Sequence, residues 1–145
     1  MRLIVLDTNV LVSAGIREGS PPHRIVNDYL LEHRIQAVAC PLLVQEYLDV
    51  CARPKFSPYG FPPPWLTEII DGAISVPDPK PWPHPLPDPP DQIFLAVAKS
   101  AGAWLITGNL KHFPPDARAG VAVLSPGEYL TRLEDAEKGG LEQEE

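Results

Sequence analysis

The chain has 145 residues, 44% of them hydrophobic and 21% charged, which suits one soluble globular domain with a sizeable core. No run approaches eighteen uninterrupted apolar residues, which excludes a transmembrane helix, and the first residues read as a strand rather than a signal peptide, so the expected compartment is the cytoplasm. The formal net charge is −7, but in residues 134–145 six acids face only Lys138, a local −5, so the other 133 residues carry −2, a balance that neither forbids a nucleic-acid substrate nor speaks for one.

The first strand is expected at about residues 2–7, a buried apolar run that reaches Asp7. An unpaired carboxylate buried there costs about several kcal/mol, so Asp7 belongs at the open end of the strand or beside a positive charge. In open α/β sheets that end is where ligands bind. Thr8 and Asn9 then open a short apolar helix, roughly 9–15. Ser20 caps the next helix, with Pro21 in its first turn, and Ile25, Val26, Tyr29 and Leu30 follow at helical spacing to about His33. Residues 35–40 read as the second strand. Pro41 starts a helix to about Arg53, where Pro54 ends it.

Residues 56–64 are a loop, followed by a helix from Trp65 to about Ile74 and a short strand at Ser75–Val76. Phe61 and Trp65 are expected to form an exposed apolar patch for a partner protein or a second copy. Residues 77–90 hold eight prolines in fourteen positions, so they favour extended polyproline II and read as a stiff surface crossover. A helix follows from Asp91 to Ala101, stopped by Gly102; then come a strand at 104–107, a loop, a strand at 121–124 and a last helix opened by Ser125-Pro126. Residues 1–133 are expected to form the domain and 134–145 an acidic tail that frays or is disordered. Strands alternating with helices predict a three-layer α/β/α sandwich around a parallel sheet.

Cys40 and Cys51 fit neither a zinc pattern nor a disulfide framework and read as buried thiols; the four histidines lack paired ligand spacing. Three acids stand out instead. Asp7 ends a strand, Glu46 lies mid-helix at the edge of an apolar face, and Asp91 opens a helix with Asp88 just before it. Alone, Asp88 and Asp91 read equally as helix caps and Glu46 as a boundary residue. Together they have a chemical rationale: Mg²⁺ and Mn²⁺ take oxygen ligands, and clustered acids repel one another unless a cation joins them.

The order Val-Leu-Asp7-Thr8-Asn9-Val-Leu-Val, then Glu46 in Pro-Leu-Leu-Val-Gln-Glu-Tyr-Leu, then Asp88-Pro-Pro-Asp91-Gln-Ile-Phe-Leu-Ala-Val-Ala, then Trp-Leu-Ile-Thr107-Gly108-Asn109, resembles a PIN domain over about residues 2–130. It is similar to the branch that contains the toxin components of bacterial toxin–antitoxin pairs. The resemblance implies a PIN-like α/β/α sandwich and a Mg²⁺- or Mn²⁺-dependent endoribonuclease, with RNA as substrate and a small antitoxin protein as partner. It assigns Asp7, Glu46 and Asp91 to the metal site, with Asp88 and Asn109 as further candidates and Thr8, Asn9 and Thr107 in support. Asn109 stands where many members carry a fourth acid; an amide can offer a carbonyl but no negative charge. Arg17, Lys111 and His112, with Arg53 and Lys55, are candidate RNA contacts, and a homodimer is a candidate assembly. The alternative reading is a non-catalytic PIN-like module that binds RNA or protein. A phosphotransferase of the haloacid dehalogenase type is disfavoured, because that chemistry wants a second Asp where Asn9 stands.

Overall fold

The computed structural model describes residues 3–144, with side chains through Gly139. Strands β1 (Leu3–Leu6), β2 (Gln36–Ala39), β3 (Ile74–Ser75), β4 (Trp104–Ile106) and β5 (Val123–Leu124) form one parallel sheet in the order β3-β2-β1-β4-β5. Successive side chains of a strand point to opposite faces. Ile4, Val5 and Leu6 are all fully buried, so both faces of β1 are covered. That is the arrangement a continuous apolar run encodes. The α/β sandwich with a central parallel sheet is therefore the one expected from the alternation of elements.

The helices are α1 (Thr8–Ile16), α2 (Pro21–Arg24), α3 (Pro41–Cys51), α4 (Trp65–Gly72), α5 (Gln92–Ala101) and α6 (Pro126–Glu144). Beyond α2 the chain continues as a π-helix, Ile25–Leu30, which buries Ile25, Val26, Tyr29 and Leu30. Asp7 caps α1, accepting from the Asn9 N–H at 3.4 Å. Pro41 occupies the first turn of α3, where a missing N–H leaves no bond unmade. Gly102 ends α5 in the left-handed region at φ 64°, a conformation that favours glycine.

The strand order reverses between β1 and β4. Leu6 lies beside Ile106, and Ile106 beside Leu124. One residue further, the Asp7 N–H donates to the Ile106 carbonyl at 2.9 Å and the Thr107 N–H to the Leu124 carbonyl at 3.0 Å. Asp7 and Thr107 thus stand side by side at the carboxyl end of the sheet, on its topological switch point, the usual ligand site of this architecture.

Residues 77–90 carry no strand or helix until a 3₁₀ turn at Pro89–Asp91. The strap is pinned along its length. Asp78 Oδ1 accepts from the Leu42 N–H at 2.9 Å, Trp82 Nε1 donates to the Ala117 carbonyl at 3.0 Å, the His84 carbonyl accepts from Gln92 Nε2 at 3.2 Å, and Leu86 is buried. Both cysteines are buried free thiols.

Three local expectations are corrected. Phe61 is buried rather than exposed and Trp65 is half-buried, so they form no open patch; a Cβ on Gly15 would meet the Phe61 ring at 2.5 Å, so this glycine makes room for the ring. β3 begins one residue early, at Ile74, because the ladder pairs Val38 with Ile74 and Ala39 with Ser75. The last helix does not end near Leu133 but runs to Glu144, with Glu134 bonded to Arg24 at 3.2 Å and Glu137 paired with Arg34. Of the expected acidic tail, Glu145 and the side chains beyond Gly139 lie outside the described residues.

Candidate metal centre

The site is built outward from β1. Asp7 is 5% exposed and carries a hydrogen-bonded frame. Its Oδ2 accepts from Thr107 Oγ1 at 2.8 Å and from Asn9 Nδ2 at 3.3 Å. Asn9 Oδ1 in turn accepts from the Gly108 N–H at 3.1 Å, which ties the start of α1 to the turn after β4. Burial raises the Asp7 pKa to about 6, and the nearby Asp91 charge adds to the rise; the bonds from Thr107 and the Asn9 backbone oppose it.

Glu46 arrives from α3, half-buried, and its Oε2 accepts from Thr8 Oγ1 at 3.1 Å. Its neighbour Tyr47 points into the core and donates to the Leu6 carbonyl at 2.5 Å, which fixes the peptide just before Asp7. Burial drives the Tyr47 hydroxyl far above its ordinary pKa, so it remains a donor.

Asp91 arrives from the turn that ends the proline strap. Burial raises its pKa, the charges of Asp88 and Glu46 push the same way, and a bond to His112 opposes them. His112 Nδ1 lies 2.8 Å from Asp91 Oδ2, and its Nε2 lies 2.9 Å from Asn109 Nδ2. Ligand atoms of Asp88, Asp91 and His112 all fall within 4.8 Å of one another, with Asp88 exposed.

The carboxylates of Asp7, Glu46, Asp88 and Asp91 therefore share one electrostatic neighbourhood at the carboxyl edge of the sheet. Thr8, Asn9 and Thr107 are all bonded to those acids or to the turn beside them. Among the described residues no lysine or arginine forms an ion pair with Asp7, Glu46 or Asp91. Arg17, Arg53, Lys55 and Lys111 are exposed, and Lys55 sits over the Phe56 ring. His112 is placed differently from these side chains: it lies inside the acidic cluster. Sequence reasoning grouped it with surface contacts, and it missed Tyr47 altogether. Asn109 precedes the 3₁₀ turn Leu110–His112, a stretch too short to give a periodic signal.

The donor set fits a hard divalent cation. The converging group offers the carboxylate oxygens of Asp88 and Asp91 beside the His112 ring, and the buried Asp7 carboxylate, its pKa raised, has no paired lysine or arginine among the described residues.

A family model described as PIN domain matches residues 3–111, three quarters of the chain. The chain belongs to the PIN domain family. A search of curated protein sequences returns no match. Among solved structures, this PIN domain is similar to FitAB bound to an IR36 DNA fragment, with a TM-score of 0.56 and 19% identity over 85% of this chain and 94% of that one. It is also similar to FitAcB from Neisseria gonorrhoeae (TM-score 0.53, 18% identity, 85% and 97% covered) and to PAE2754 from Pyrobaculum aerophilum (0.52, 16%, 92% and 89%). At these identities the likeness speaks for the PIN fold alone. Among the described residues no helix is long and apolar enough to cross a membrane.

Proposed function

We propose that this PIN domain is a Mg²⁺- or Mn²⁺-dependent endoribonuclease, the toxin member of a toxin–antitoxin pair with a small antitoxin protein as partner. The observation that carries the reading is the buried Asp7 carboxylate at the switch point of the sheet, its pKa raised by burial and by the Asp91 charge, with no lysine or arginine paired to it among the described residues. Asp7, Glu46 and Asp91 would hold the cation, with Asp88 at the open rim. When bound, the cation supplies a water activated for in-line attack on a phosphodiester and stabilises the charge that develops on it.

The chain's own residues do the rest. Thr107 and Asn9 orient Asp7 by donating to Oδ2, and Thr8 orients Glu46. Asn9 and Gly108 close the floor of the site between α1 and β4. The acids of the site repel a phosphate, so productive binding depends on the cation to offset charge between them.

The test is cleavage of a mixed RNA pool by the purified chain with Mn²⁺ or Mg²⁺. Cleavage is expected with either ion, to stop in excess EDTA and to be lost in Asp7→Asn. Activity that persists in EDTA or in that variant refutes the mechanism. Expression of the chain is expected to arrest growth, and the same substitution to relieve the arrest.

A further inference from the structure

We propose that His112 is a positioning residue of this site: with its tautomer set by Asn109, it clamps Asp91 Oδ2 and leaves Oδ1 for the cation. This rests on the metal-site reading above.

The argument starts from the position where the fourth acid is missing. Asn109 donates twice. Its backbone N–H donates to Thr107 Oγ1 at 3.0 Å, and its side-chain amide nitrogen lies 2.9 Å from His112 Nε2. With the amide NH₂ of Asn109 turned to the ring, the geometry assigns Nε2 as the accepting, bare nitrogen. The proton of the neutral imidazole then sits on Nδ1, and it donates to Asp91 Oδ2 at 2.8 Å.

The bonds form one chain, Asp7–Thr107–Asn109–His112–Asp91. Its hydrogens point outward from Asn109 in both directions and end on a carboxylate at each end. A carboxylate at position 109 has no hydrogen to give to Nε2. Asn109 is therefore more than a missing charge: it sets the direction of the network that joins Asp7 at the end of β1 to Asp91 at the start of α5.

Two consequences follow for the ligands. Asp91 has Oδ2 committed to His112, which leaves its Oδ1 to bind, whereas both Asp7 oxygens carry bonds, Oδ2 from Thr107 and the Asn9 amide and Oδ1 from the Asn9 N–H at 3.4 Å. His112 has both ring nitrogens engaged inside the cluster, which removes it from the candidate phosphate contacts. It is also distinct from a direct ligand, which would bind through Nδ1 without its proton or through Nε2 released from Asn109. Partners that hold a metal-binding carboxylate from behind typically contribute about 10–100-fold in metal affinity.

The experiment uses the full chain, ¹⁵N-labelled, in a long-range ¹H–¹⁵N spectrum that reads the histidine tautomers without metal and with saturating Mg²⁺. His112 is expected to be protonated at Nδ1 and bare at Nε2 in both. The opposite tautomer, or loss of the Nδ1 proton on adding Mg²⁺, overturns the proposal. Calorimetry with Mn²⁺ supplies the second readout. His112→Ala is expected to bind about 10-fold or more weakly, whereas His112→Asn, which keeps a donor near the Nδ1 position, stays within about threefold of the wild type. An Ala variant as tight as the wild type overturns the positioning role. A wild-type chain that binds neither ion overturns the metal-site reading instead, and the metal-free spectrum still decides whether His112 clamps Asp91.

Discussion

The two halves of the site are built on opposite terms. Asp7 grows out of the central strand, is almost fully buried and is framed by Thr107 and Asn9. Asp91, Asp88, Asn109 and His112 stand on turns, are more open to solvent, and hold one another, tied to the end of the sheet through the Asn109 N–H on Thr107. The first half carries the electrostatic stress of the site and the second carries its orientation. A substitution in the first should therefore trade stability against metal binding, whereas one in the second should change binding with little effect on stability.

The largest expected effect is at Asp7. Its pKa is raised from 3.8 to about 6, so the folded state without metal resists ionisation there. The stability this group contributes is complete below the unfolded pKa and is lost as pH rises through about 6. At about 1.4 kcal/mol per pKa unit, the loss at pH 7 is on the order of 3 kcal/mol. Asp7→Asn should therefore abolish Mn²⁺ binding and cleavage yet raise the stability of the metal-free protein at pH 7 by up to about that much, as read by urea unfolding in EDTA. The wild type in EDTA should also be more stable near pH 4.5 than at pH 7 as far as Asp7 is concerned, and the variant should lose that part of the difference. A variant less stable than the wild type at pH 7 would break the comparison.

Asp91→Asn tests the other half. It should lose Mn²⁺ affinity as well, but change the unfolding free energy by about 1 kcal/mol or less, because a turn-borne group with one histidine partner has less to lose. A stability gain as large as at Asp7 would show the two halves to be alike. Tyr47→Phe comes next. Deleting the hydroxyl leaves the Leu6 carbonyl without its buried donor and should lower stability by about 1–2 kcal/mol, with a smaller loss of metal affinity, measured by unfolding and calorimetry on the same samples. The smallest effect is expected for Asp88→Asn. Exposed at the rim, Asp88 should shift stability by less than about 0.5 kcal/mol and Mn²⁺ affinity by a few-fold at most. A tenfold loss would promote it to a full ligand.

The same contrast explains what could be read in the sequence. Asp7 was conspicuous because apolar neighbours leave a carboxylate few places to go, and strand ends in α/β folds collect ligands. Glu46 and Asp91 were visible through helical spacing and a helix start. The parallel sheet followed from the alternation of elements. His112 was hidden because its partner Asp91 is 21 positions away, and a 3₁₀ turn imposes no periodicity long enough to notice. Asn109 looked like a deficit, since an amide's value as a donor depends on what stands opposite it. Tyr47 read as one more apolar residue of α3, because nothing in the sequence says which carbonyl its hydroxyl will meet. Phe61 was assigned to the surface on the strength of neighbouring prolines, although the small Gly15 gave its ring a place to enter the core.

The proline strap spans both halves. Asp78 bonds to the start of α3, the helix that carries Glu46, and the far end of the strap delivers Asp88 and Asp91. Proline restricts the unfolded chain as much as the folded one, so a segment rich in it surrenders less conformational entropy when it is ordered. Fixing a residue's backbone ordinarily consumes about 1–2 kcal/mol. In this protein much of that ordering is already present before the chain folds. The turn-borne half of the site can thus be held at a set distance from Glu46 by covalent stiffness, in a region where the sheet provides no hydrogen-bond ladder to do it.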